Sequence, residues 1–242
     1  MKIKVFQKGF NYSQDGQGNR LVYHLWGCNF YCPWCANPEG MNISDSTYEE
    51  YEIDEIINEA VSSKAMFFDG GGVTLTGGEP SNQFDAIKNL YSKLKDAGIN
   101  TALETNGAHE RLCELFPLVD ELIIDLKHYN NATHEAYTKS GNATVISNIK
   151  KAQKYRNQLL LRITLVNGFN ADESDIKHFI NLIKSFDFPG LTLELLAYHE
   201  YGKGKWAEHG KKYTFKDGFV SAEVLTEFQK QLNANGIRSV KT

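Results

Sequence analysis

"GCNFYCPWCANPEG", residues 27–40, sets three cysteines, Cys28, Cys32 and Cys35, within eight positions. The remaining cysteine, Cys113, lies far along the chain. A structural zinc site is tetrahedral and takes four protein ligands, so the triad would need Cys113, His24 or His109 to complete it. Cys113 sits in "HERLCELFP", where Leu112, Leu115 and Phe116 predict a packed helix that buries the thiol. A disulfide would leave one thiol of the triad over. A cubane iron–sulfur cluster suits the number better. Each of its irons takes one outside ligand, so three cysteines leave one iron open to hold a substrate or cofactor. Three and then two intervening residues let one tight loop cover three corners of a cube, and Asn29, Pro33 and Asn37 suit such a loop.

Composition narrows the setting. Hydrophobic residues make up 41% and charged residues 23% of the 242, enough for one barrel-like α/β domain or two small domains with a real core. A net charge of −4 gives no general reason to expect a nucleic-acid partner, which calls for a basic face. "MKIKVFQKGFNYSQDG" is too polar for the apolar centre of a signal peptide, and no apolar run is long enough to cross a bilayer. These features predict a cytoplasmic protein without membrane or nucleic-acid partners, in a compartment where clustered thiols bind metal more often than they pair.

Outward from the cysteine loop, apolar and β-branched runs alternate with amphipathic segments. Strands are predicted at 21–26, 72–76, 100–104, 121–126, 159–166 and 192–196, and helices near 53–63, 84–97, 109–116, 133–138, 144–156, 172–185 and 221–235. Asn235-Gly236 stops the last helix. Such alternation predicts βαβ units and a parallel sheet. Six units are too few for a closed eight-stranded barrel of about 250 residues, which leaves an open (β/α)6 barrel or a doubly wound sheet. In both, chemistry collects at the C-terminal ends of the strands. The polar motifs lie there: the cysteines after the first strand, "GGEP" after the second, "TNG" after the third, "DLKH" at the end of the fourth and "AYHEYG" after the sixth.

The cysteine pattern, with Trp34 just before its last cysteine, resembles that of the radical S-adenosylmethionine (SAM) enzymes. In that family the open iron is chelated by the amino and carboxylate groups of SAM's methionine part. The resemblance implies a partial (β/α)6 TIM-type barrel and one 4Fe–4S cluster on Cys28, Cys32 and Cys35, with SAM beside Trp34 and Ala36. "TLTGGEP", Thr74 to Pro80, places glycines where a backbone can approach a ligand closely, and Gly78 and Glu79 could together take an ammonium group. Alone, this stretch also suits a plain strand–helix turn. By resemblance it is the motif that binds the methionine amino group.

"LETNG" and "IIDLKH" put charges at strand ends, where burial demands a partner or a ligand. Both stretches resemble the glycyl-radical-enzyme activases, especially those of the pyruvate formate-lyase type, which have "DTNG" where this chain has "ETNG". The resemblance implies that Asp125 and Lys127 contact SAM, and that Glu104, Thr105 and Asp125 line a monovalent-cation site. A structural Asp125–Lys127 pair is the alternative. Arg162, inside the apolar run "LRITLVNGFN", needs an anion; the resemblance places it around SAM, and a salt bridge to a neighbouring strand is its alternative. "ELLAYHEYGKGKW" resembles the activases' last strand and following loop, in which His199 would contact SAM. "SQDGQGNRLVYHLWGC" resembles their "DGPG" segment, in which Asp15 and Gly16 would bind the backbone of the protein substrate's glycine loop. Gln17 replaces the proline there, and a surface turn is the alternative.

Residues 36–76 contain no cysteine and barely room for one helix, so no ferredoxin-like insertion with further clusters is expected. The expectation is a single domain over 1–242: an N-terminal cover (about 1–20), a barrel (about 21–200), and a C-terminal loop and helix (about 201–242). The function implied is activation of a glycyl radical enzyme, pyruvate formate-lyase foremost. A reduced cluster would cleave SAM to methionine and a 5′-deoxyadenosyl radical, which takes hydrogen from a backbone glycine. An external reductant, flavodoxin or similar, is implied as well. Two rivals stand beside this reading. A radical SAM enzyme acting on a small molecule would share the cluster and the GGE stretch without needing the peptide-binding segment. A zinc-binding interaction module would be colourless and carry one zinc.

Overall fold

A computed structural model describes residues 1–41, 47–155 and 158–241. The chain runs β1 (Lys2–Tyr12), β2 (Asn19–Leu25), β3 (Glu49–Glu52), α1 (Ile53–Ser62), β4 (Val73–Gly77), α2 (Phe84–Asp96), β5 (Thr101–Thr105) and β6 (Glu121–Asp125). It continues through α3 (Asn131–Thr138), α4 (Ala143–Ala152), β7 (Leu159–Leu165), α5 (Glu173–Lys184), β8 (Leu191–Ala197), α6 (Lys203–Glu208), α7 (Ala222–Ala234) and β9 (Ser239–Lys241). All the strands lie in one sheet of order β3-β1-β2-β4-β5-β6-β7-β8-β9. The predicted strands are β2 and β4–β8, each parallel to the next. They form the partial (β/α)6 barrel, a mixed α/β fold whose sheet does not close on itself.

The pattern of β7 and β8 shows how the barrel makes both a core and a site. Leu161, Ile163 and Leu165, with Leu193 and Leu195, are almost wholly buried. The alternate residues Arg162, Thr164 and Leu196 line a cavity inside the barrel, as the two-residue period of a strand requires. Register then sets Asp125 beside Arg162 and Arg162 beside Glu194, so charges from three strands form one row.

Helix ends follow local chemistry. Glu52 with Glu55 and Asp172 with Asp175 form capping boxes at α1 and α5. The Ser221 hydroxyl accepts from the Val224 N–H at the start of α7, which ends at Asn235 with Gly236 at φ 75°. The helix predicted over 109–116 is replaced by two 3₁₀ turns, Leu112–Glu114 and Phe116–Leu118. Pro117 supplies no N–H and clashes with a continuing helix, so the connection stays short. Cys113 consequently sits half-buried against the core instead of inside a packed helix.

Three strands were not predicted. β1 pairs antiparallel with β2, β3 pairs with β1, and β9 extends the far edge beside β8. Their alternation is carried by charged residues, which masks the strand period: β1 buries only Ile3 and Val5 fully.

Candidate active site

The cysteine loop is stapled to the barrel at its base. The Gly27 N–H donates to the Gly40 carbonyl at 2.9 Å, closing the loop, and the Glu79 N–H donates to the Gly27 carbonyl at 2.7 Å. A Cβ at Gly78 would lie 2.4 Å from the carbonyl oxygens of both Gly27 and Gly40. Only glycine lets these two turns meet. Within the loop the Cys35 N–H donates to the Cys32 carbonyl at 3.1 Å. The Phe30 and Asn37 N–H groups are aimed at the sulfurs of Cys28 and Cys35, each at 3.4 Å. From outside, α6 clamps the loop. The Trp206 indole donates to the Cys35 carbonyl at 3.0 Å, Lys205 pairs with Glu39 at 2.5 Å, and Gly202 packs on the Ala36 backbone.

The three thiols line a cavity of about 220 Å³, together with Trp34, Ala36, Gly78 and Glu79. Its wall continues through Glu104, Thr105, Asp125, Lys127, Arg162 and His199, and Asp15 closes it from the loop before β2. Every predicted site residue therefore converges here except Gly16, which lines a second cavity beyond Arg162. Of the residues weighed as a fourth zinc ligand, only His24 borders the cavity. His109 stacks on Phe84 with ring centroids 4.5 Å apart. Among the described residues no three His, Cys, Asp or Glu side chains converge on one metal ion.

Burial pushes all three thiols upward in pKa, that of Cys32 to about 12. Thiols so placed become thiolates when a polynuclear cation meets them. Unpaired sulfurs around one cavity, two of them already addressed by backbone N–H groups, fit a cluster larger than a single ion.

The wall is a network of buried charge. Glu79, fully buried, accepts from the Ser81 N–H at 2.9 Å, the Ser81 hydroxyl at 2.5 Å, the Thr105 hydroxyl at 2.7 Å and the Asn106 N–H at 2.7 Å. Burial raises its pKa while these donors oppose the shift. The carboxylate thus ties the turn after β4 to the turn after β5. Arg162 does bridge its neighbours: Nε donates to Glu194 at 2.6 Å, Nη1 to Glu104, and Nη2 to the Gln14 carbonyl at 3.1 Å. Glu104 keeps one carboxylate oxygen buried without a partner. Burial lifts its pKa to about 7 against the pull of Arg162, with Asp15 and Asp125 adding to the rise. Lys127 pairs with Asp125 at 3.0 Å. Burial works against this ammonium, but Asp125 and the neighbouring thiols outweigh it and raise its pKa. His199 accepts from the Tyr201 N–H at Nδ1, and burial lowers its pKa, so it stands neutral with Nε2 free to carry the proton.

Sequence reading did not single out Phe30, Thr76, Thr164 or Tyr198, which also line the cavity. Thr164 was legible in principle, being two residues after Arg162 on one strand. Tyr198 was not, because the strand period has ended there.

The radical SAM superfamily model matches residues 22–183. Pyruvate formate-lyase-activating enzyme of Staphylococcus aureus is 31% identical, over 84% of this chain and 84% of that protein. Among solved structures, a domain of pyruvate-formate lyase-activating enzyme from Bacteroides vulgatus aligns with TM-score 0.59 and 25% identity, over 72% of this chain and 99% of that one. A radical SAM methyltransferase from Sphaerobacter thermophilus shares the fold, with TM-score 0.68 at 13% identity over 96% of this chain and 68% of that one. A loop of three cysteines over a barrel mouth of converging charge is therefore no accident of folding: the chain belongs to the radical SAM superfamily, enzymes that use a 4Fe–4S cluster and SAM, and within it to the family of the pyruvate formate-lyase-activating enzymes.

Proposed function

We propose that this enzyme installs a glycyl radical on a partner enzyme, pyruvate formate-lyase, with the cluster on Cys28, Cys32 and Cys35. The observation that carries the reading is the placement of Asp15. The loop before β2 reaches the same cavity as the three thiols, so a peptide backbone held at Asp15 and Gly16 would lie beside the cluster. When bound and reduced, the cluster supplies the electron that splits SAM into methionine and the radical that takes a glycine hydrogen.

The chain's own residues bind and orient. Gly78 and Glu79 would receive the methionine amino group, with the Glu79 side chain acting as the brace of that turn. Lys127, paired with Asp125, and Arg162, paired with Glu104 and Glu194, would border SAM as fixed, partnered cations within reach of its carboxylate. His199, Trp34 and Ala36 complete the pocket. The unpartnered oxygen of Glu104, near Asp15 and Asp125, supports a monovalent-cation site with Thr105 at its edge. The apolar side chains of Phe30, Trp34 and Leu196 exclude water. We further take the chain as one domain without a ferredoxin-like insertion, reduced by flavodoxin or a similar protein. It would work in the cytoplasm, consistent with four free cysteines and with no described helix long and apolar enough to cross a membrane.

The test is electron paramagnetic resonance on the reconstituted, reduced protein mixed anaerobically with SAM and pyruvate formate-lyase. A SAM-dependent glycyl-radical doublet is expected, and Cys32→Ala should abolish it together with the visible absorbance of the cluster. Accumulation of 5′-deoxyadenosine without a doublet would overturn the choice of partner.

A further inference from the structure

The segment before β2 is gripped from inside the barrel in a way the reaction alone does not explain. Arg20 lies on β2 and is wholly buried. Its Nε donates to the Thr74 hydroxyl at 2.6 Å, and that hydroxyl donates onward to the Asp15 carbonyl at 2.7 Å. Its Nη1 reaches the Gln17 carbonyl at 3.0 Å and Glu121 at 3.0 Å, while the other Glu121 oxygen accepts from the Gln17 N–H at 2.9 Å. Its Nη2 donates to the Val73 carbonyl and the Asn100 side chain at 3.1 and 3.0 Å. Arg162 holds the Gln14 carbonyl from the other side. Carbonyls 14, 15 and 17 are thus fixed by two buried arginines, one acting through a threonine. Gly16, at φ 115°, lies flat on the Arg20 side chain, where a Cβ would come within 3.0 Å of Cδ.

A charged guanidinium is costly to bury, and this one spends its donors on carbonyls and side chains of the barrel's lower end and of one short loop. We propose that Arg20, acting through Thr74 and Glu121, is a positioning residue that sets Asp15 and Gly16 for the protein substrate. This rests on the reading of Asp15 and Gly16 as the substrate loop. Thr74 is the informative link, since its hydroxyl is the sole connection from Arg20 to the Asp15 carbonyl among the described contacts. Thr74→Val keeps the shape of the buried side chain and removes the hydroxyl, leaving Arg20 Nε without its acceptor and the Asp15 carbonyl without its donor.

The experiment compares Thr74→Val, Thr74→Ser and Asp15→Asn in the cluster-loaded enzyme. It measures the KM for pyruvate formate-lyase, the dissociation constant for SAM, and the rate of 5′-deoxyadenosine formation without protein substrate. Thr74→Val is expected to raise the KM about tenfold, leaving SAM binding and uncoupled cleavage within about twofold, and Thr74→Ser, which restores the hydroxyl, to recover most of the KM. If Asp15→Asn raises the KM and Thr74→Val does not, the positioning role is overturned while the substrate loop stands. If neither moves the KM, the substrate loop itself is wrong and the proposal falls with it. If Thr74→Val weakens SAM binding as much as it raises the KM, its effect is on the barrel at large, and the proposal is overturned.

Discussion

Glu79 shows how one residue can carry a motif's geometry. Three donors surround its Oε1 and the Asn106 N–H meets its Oε2. Glu79→Gln must turn an amide NH2 toward an existing donor, leaving two buried N–H groups face to face. The expected cost is about 2 kcal/mol, read as a lower urea midpoint with an unchanged slope. An unchanged midpoint would mean that the carboxylate is not the brace described. Glu79 itself was legible in the sequence, because a carboxylate after two glycines at a strand end stands out. Its four donors were not, since they come from positions 81, 105 and 106, and only the fold brings the turns after β4 and β5 together.

Among the elements, α6 is the one whose function the sequence hid. Six residues are too few to hold a helix alone and Gly204 weakens it further, and Lys203–Glu208 forms because Trp206 is buried against the cysteine loop. Trp206→Phe keeps most of the apolar burial and loses the 3.0 Å bond to the Cys35 carbonyl. The expected outcome is iron loss to a chelator about three- to tenfold faster, in line with one hydrogen bond of about 1 kcal/mol, followed by the bleaching of visible absorbance. If the bleaching rate is unchanged, the clamp does not hold the loop. The opposite failure of pattern occurs at 109–116, where helical periodicity gives way to 3₁₀ turns because Pro117 and the short span to β6 leave no room.

Across the whole molecule, two buried histidines should make the fold weaken toward acid. His128 and His134 are buried, and burial lowers both pKa values below 6.5. His128 accepts from the Asn130 N–H at Nδ1 and so donates from Nε2 to the Phe169 carbonyl at 2.9 Å, a neutral tautomer that protonation would break. The unfolded chain binds these protons more readily than the folded one, so the stability they contribute is complete above about pH 6.5 and is lost as pH falls through the lower folded values. Urea midpoints measured across this range should decline toward acid, and His128→Gln should flatten the decline. A slope unaltered by that substitution would exclude His128 as its source.

At this scale the division between sequence and structure is plain. The alternation of apolar runs with amphipathic segments determined six parallel strands and left an open barrel or a doubly wound sheet, because period and spacing are local properties of the chain; the resemblance carried by the motifs selected the barrel. The motifs at the strand ends determined which residues could meet at one mouth, since a parallel sheet carries all its C-terminal ends to the same side. Tertiary structure alone decided β1 and the edge strands β3 and β9, whose pairing depends on neighbours distant in sequence. It alone decided that Arg162 is shared by Glu104, Glu194 and the Gln14 carbonyl, and that a buried Arg20 holds the loop at Asp15. The physical reason is the same in each case. A buried charge must find partners, but its sequence states only the need, and which groups answer it is set by strand register and by the loops that the closed core brings within reach.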